Sequence, residues 1–130
     1  MTVPFICVFV AFVLIWVPKA AAARVQIKLP GGFDNNNPRD QQATMTDVGR
    51  RATAAHNNAF EGFAPFAAAV FIAHLAHANE TWASALAVTH VVARLIYPFL
   101  YINNLASART AIWVISTMAT TGLFLIGFLH

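Results

Sequence analysis

Four apolar runs, each close to the length that crosses a lipid bilayer, constrain this chain more than any other feature. A spanning helix needs about 20 mostly apolar residues. The runs cover about 3–23, 56–78, 82–105 and 108–129. Lys19 interrupts the first near its end, where a lysine can snorkel; the last is almost free of ionisable groups. The chain is 58% hydrophobic and only 10% charged, whereas a soluble domain carries about 25% charged residues. So few charges cannot solvate the surface of a small water-soluble domain, and they also exclude a disordered chain. A single cysteine, Cys7, excludes a disulfide scaffold. The expectation is an all-α integral membrane four-helix bundle in one four-span domain over residues 1–130.

The first run has a rival reading as a secretory leader, since the alanines before Arg24 would serve as a cleavage site. No lysine or arginine precedes Pro4, so the basic start of a leader is missing and a span is preferred. One long connection, about 24–47, contains LPGGFDNNNPRDQQ, rich in turn formers. Lys19, Arg24, Lys28, Arg39, Arg50 and Arg51 lie in or beside it, against Asp34, Asp40 and Asp47. The turn near Asn79 and Glu80 carries no basic residue, and the third connection holds Arg109. Basic loops stay cytoplasmic. The first and third connections are therefore expected inside and both termini outside, as in a bacterial inner-membrane protein.

Ionisable residues inside a span mark partners or cavities. The segment from Asp47 reads as the polar start of the second helix, with Thr46 or Asp47 as its N-cap. Arg51, Asn58 and Glu61 share one face of that helix by spacing, with His56 to the side. On the third helix Arg94, Tyr97 and Tyr101 recur at helical spacing, with Asn104 beyond them. Arg94 falls mid-span, and Glu61 is the acid placed to meet it, so an Arg94–Glu61 pair, direct or through a bound ligand, is expected. Pro98 is expected to kink the third helix. His74, His77 and His90 invite a metal reading, but polar packing explains them more simply, and no metal site is assigned. No nucleophile elbow, phosphate loop or paired-cysteine site appears. The basic residues sit where membrane topology demands them, so nucleic acid is not an expected partner.

These residues resemble a family. Four spans, a long first loop, then RRATAAHNNAFEGFAPF and ARLIYPFLYINNLASAR, are similar to MAPEG, the membrane-associated proteins in eicosanoid and glutathione metabolism. The specific parts are His56, Asn58 and Glu61 before Pro65, and Arg94, Tyr97 and Tyr101 followed by Arg109. The resemblance implies a homotrimer that binds glutathione between neighbouring subunits on the cytoplasmic side. It implies glutathione transfer or peroxide reduction on a lipophilic small molecule drawn from the bilayer. Arg109 matches the arginine that stabilises the thiolate. Asn58, Glu61, Tyr97 and Tyr101 match residues that hold the tripeptide, and Arg24 matches an arginine ending helix one. Arg51, His56 and Arg94 join the expected cofactor-binding set.

Three features depart from the family pattern. Ala54 stands where glutathione-using members usually have arginine, Asn57 stands where prostaglandin synthase-like members have arginine, and the Tyr101–Arg109 spacing differs by about one residue. They leave a second reading open, a non-catalytic lipid-binding or scaffold protein on the same fold.

The charge asymmetry gives a first test. A cysteine placed at Asn36 should be labelled by an impermeant thiol reagent only after the cells are opened. Labelling in intact cells would reverse the topology.

Overall fold

Pro18 shapes the first rod of the protein. It has no N–H to give to the Leu14 carbonyl, and its ring crowds that carbonyl. In the computed structural model, which describes residues 2–129, the rod is therefore two helices, α1 (Val3–Leu14) and α2 (Trp16–Lys28), broken at Ile15. The Ile15 carbonyl accepts a hydrogen bond from His56 Nδ1 at 3.0 Å, so the break is tied to the second spanning helix.

Three further long helices follow: α4 (Asp47–Leu75), α5 (Glu80–Ile102) and α6 (Ala106–Phe128), with a short α3 (Pro38–Thr44) before them. With the α1–α2 rod they make four helical segments long and apolar enough to cross a membrane. Helix limits and apolar limits differ most at the first loop. Helix continues past the alanines to Lys28, so Arg24 lies on α2 and the connection shortens to residues 29–46. On the second span the helix begins at Asp47, well before the apolar run, as its polar start suggests. Thr46 occupies the N-cap position without a side-chain hydrogen bond. Pro98 lies inside α5, which stays helical through it.

Small residues let the helices approach closely. Ala69, Ala87, Phe66, Val70 and Leu123 form the main core, with Cys7 and Ala11 from α1. Lipid supplies no hydrophobic drive between spans, so close van der Waals packing of such residues carries the association. Outward positions are large and apolar, with Phe9, Trp82 and Met118 each well exposed, as a lipid-facing surface requires. Gly127 packs so tightly on α4 that a Cβ there would stand 3.2 Å from the Ala73 backbone.

The 29–46 connection is held by a glutamine knot beside a small apolar cluster of Ala22, Met45 and Ala52. Gln26, fully buried, donates through Nε2 to the Pro38 carbonyl and to Gln41 Oε1, each at 3.1 Å. Its Oε1 accepts from Gln42 Nε2 at 3.2 Å, which leaves the amide almost fully satisfied. Gln41 also donates to the Gly32 carbonyl at 2.7 Å. Gly31 and Gly32 both have positive φ there, a backbone state that side chains disfavour.

Overpacking tests the α4–α6 contact. Gly127→Val should lower stability by about 1–3 kcal/mol, read as a reduced melting temperature in detergent.

Candidate functional site

The polar stripe of α4 and the aromatic stripe of α5 meet across one recess. From α4 come Ala54, Asn57, Asn58 and Glu61; from α5 come Tyr97 and Tyr101; from α6 come Arg109, Thr110 and Trp113. The space they enclose is about 480 Å³. A second hollow, lined by Asp47, Arg50, Arg51, Asn104, Ala54, Tyr101 and Arg109, adjoins it through the last three residues. Together the two carry Arg50, Arg51 and Arg109 against Asp47 and Glu61, a cationic balance suited to an anion-rich ligand.

Arg94 is the pivot. A charge at this depth must be partnered or hydrated. Its Nη1 donates to Asn58 Oδ1 at 2.7 Å, and Asn58 Nδ2 reaches Glu61 Oε2 at 3.4 Å. Asn58 thus stands between acid and base, its oxygen toward the cation and its amide N–H toward the carboxylate. Among the described residues Arg94 and Glu61 form no direct ion pair, which corrects the simplest sequence expectation. The reason is geometric: both are on stripes that face each other, but Asn58 lies between them and Glu61 is exposed. Arg94 Cζ lies 5.6 Å from the Tyr97 ring centroid, within cation–π range.

The row continues to Arg109. The Tyr97 and Tyr101 rings meet edge to face at 5.7 Å, and Arg109 Cζ lies 4.3 Å above the Tyr101 ring. The turn between α5 and α6 creates that stacking. Asn104 takes φ 59°; its N–H bonds the Tyr101 carbonyl at 3.0 Å, and the Leu105 N–H bonds the Leu100 carbonyl at 2.9 Å. This is a helix-ending turn with asparagine in the left-handed position. It folds the start of α6 back over the end of α5. Arg51 Nε donates to the Ile102 carbonyl at 2.8 Å, satisfying a helix-terminal acceptor and fixing the α4–α5 end.

Six of the expected site residues border the recess or the hollow beside it, Arg51, Asn58, Glu61, Tyr97, Tyr101 and Arg109, and Arg94 lies behind them, bonded to Asn58. Two do not. His56 turns to α1, bonded to Ile15 and packed against Phe60 at 5.1 Å between ring centroids. Arg24 is exposed on α2. Sequence reading passed over Trp113, although it follows Arg109 at a helical offset of four, and over Thr110 and Arg50, which only the shape of the two hollows includes. The histidines lie in separate surroundings. His90 is buried, stacked on Phe66 at 3.8 Å, with Ser116 and Thr120 oxygens around its Nδ1. His74 packs on Phe5.

The model of the MAPEG family matches residues 3–129. The chain belongs to the MAPEG family. No curated protein and no solved structure matches it.

The Asn58 bridge makes a test that separates the two acidic-network readings. Asn58→Ala strands the Arg94 guanidinium and should cost about 1–3 kcal/mol. Glu61→Gln, at an exposed site with no ion pair, should stay within about 0.5 kcal/mol. Melting temperatures of the two variants check the order; the reverse order would restore the direct-pair reading.

Proposed function

We propose that this MAPEG-family membrane protein is a glutathione-dependent enzyme acting on a lipophilic substrate, assembled as a homotrimer. The observation that supports the reading best is the recess lined by Glu61, Asn58, Tyr97, Tyr101 and Arg109, with Arg94 behind it bonded to Asn58. Glutathione carries two carboxylates, an amine and a thiol. Arg50 and Arg51 suit the carboxylates, and Glu61 suits the amine. Arg109 suits the thiol sulfur. A guanidinium keeps its charge at any accessible pH, so it favours the thiolate without titrating itself.

The thiol loses its proton to water in the recess, and the sulfur adds to the β-carbon of an α,β-unsaturated carbonyl lipid; the C=C π pair moves toward the carbonyl as an enolate, which water reprotonates at carbon. With a hydroperoxide the balanced alternative consumes two glutathiones and yields an alcohol, water and the disulfide. Arg24, exposed on α2, is free to reach a recess on a neighbouring subunit. His56 acts in this reading through the α1 break rather than by touching the ligand. The positive-inside pattern orients the Arg50 end of the recess to the cytoplasm, where glutathione is dissolved, with both termini outside and the bilayer a bacterial inner membrane.

Ala54 supports the second reading, a lipid-binding or scaffold protein without catalysis. It lines both hollows with a methyl group where related members place a cation.

Arg109 decides between them. Calorimetric titration of the detergent-purified protein should show glutathione binding, with thiolate absorbance in the ultraviolet at neutral pH. Arg109→Ala should remove that absorbance and cut turnover by about 10- to 1,000-fold, while affinity falls less. A protein that binds glutathione without thiolate absorbance would favour the scaffold.

A further inference from the structure

The end of the bundle away from the recess holds another hollow. About 20 Å of α4 separates Glu61 in the recess from His74 at this hollow. The space is about 240 Å³. Its floor is Pro4, Val70, Ala73, Ala83 and Leu123, all buried. Its rim is Thr2, His74, His77 and Glu80. Drug-sized sites run to about 300–1,000 Å³, so a guest here has a small apolar body, the size of a single ring.

Both rim imidazoles are held in place. Phe5 meets the His74 ring edge to face at 4.8 Å between centroids. His77 has φ 54°, at the position just past α4 where glycine or asparagine is usual. The Ala78 N–H bonds the Ala73 carbonyl at 2.9 Å, and the His77 N–H bonds the His74 carbonyl at 3.0 Å, which closes that turn. Glycine would take this backbone without strain, so the turn itself has no need of an imidazole. What the side chain adds is a polar group at the rim.

Glu80 gives the rim a negative charge, and no lysine or arginine offsets it. Residues 1–18, 52–93 and 110–130 contain neither, and every lining residue comes from those stretches. An anion would meet a carboxylate there and no cationic side chain. A carboxylate and two imidazoles can all accept hydrogen bonds, and such bonds are stronger from a charged donor. Among the described residues His74, His77 and Glu80 do not gather closely enough to hold a metal ion, so the matching head is an organic group that spans the mouth.

We propose that this hollow binds a small organic cation, an amine or amidine on an apolar body of ring size. The body lies on Val70, Ala83 and Leu123, and the head faces Glu80, His74 and His77. The site is separate from the glutathione recess and does not depend on the enzyme reading.

Phenethylamine and phenethyl alcohol differ at the head and in little else. The full chain, isotopically labelled at histidine Cε1 and held in detergent micelles at fixed pH, reports on the rim directly by nuclear magnetic resonance. Phenethylamine should shift the His74 and His77 signals saturably, at about three- to tenfold lower concentration than the alcohol, while His56 and His90 stay unmoved. The two signals are identified by their loss in His74→Gln and His77→Asn; asparagine accepts the left-handed backbone, so the second variant keeps the turn. Glu80→Gln, at an exposed position, should keep the fold and bring the amine to the level of the alcohol. Equal affinity for amine and alcohol in the otherwise unaltered protein would overturn the proposal, as would the absence of a saturable shift with either. A preference for the amine that survives Glu80→Gln would overturn it too. So would shifts spread equally over His56 and His90, the mark of simple partition into the micelle.

Discussion

One guanidinium inside the apolar zone sets the terms for the rest of the bundle. Arg94 sits on α5 at a level where a charge without partners is costly. Everything near it is arranged around that cost. Asn58 offers an oxygen at 2.7 Å, Tyr97 offers a ring face, and Gly62 gives up its side chain so the planar group can lie against α4. These three contacts fix the rotation of α4 about its axis. The same rotation turns Glu61 outward and sends His56 toward α1. A rotation of α4 that satisfied Arg94 less well would also empty the recess of Asn58.

The helix ends around the α5–α6 turn and the α1–α2 break are held by polar contacts of a different kind. Arg51 closes the end of α5 on the Ile102 carbonyl, Asn104 reverses the chain into α6, and His56 takes up the Ile15 carbonyl at the proline break. Each satisfies backbone groups that a helix end or interruption leaves open. Their joint effect is positional. They hold the first turns of α6 against the last turns of α5, which is why Arg109 can stack on Tyr101 rather than extend into solvent. Gln26 does similar work for the loop, since a buried amide with three partners admits few alternative arrangements.

The four spans, the polar entry into α4 and the facing stripes on α4 and α5 were legible because they rest on hydropathy and helical period, which need no knowledge of tertiary contacts. The direct form of the Arg94–Glu61 pair does not occur, for the converse reason. Charge counting names the two ions but cannot see that Asn58, one turn before Glu61, intervenes. Helix α2 outran its apolar run because alanine, arginine and glutamine are good helix formers, so hydropathy ended at Ala23 while the helix ended at Lys28. Pro18 was on view in the sequence, yet its use by His56 depends on a contact between residues 41 positions apart. Gly62 carried no signal at all: an isolated glycine in a span has meaning only once a guanidinium is found lying on it.

The departures from the family pattern gain sense from this geometry. Ala54 removes a cation from the middle of the recess, between Arg50 and Arg51 on one side and Arg109 on the other. A ligand there meets Arg50, Arg51 and Arg109 around one hollow, with only a methyl group at position 54. In the glutathione reading that lining takes the carboxylates at Arg50 and Arg51 and the sulfur at Arg109. Arg94 is then left outside the ligand's main track, partnered by one asparagine and lying against α4 at Gly62. The same residue that holds α4 in register thereby keeps one buried donor, Nε, without a partner.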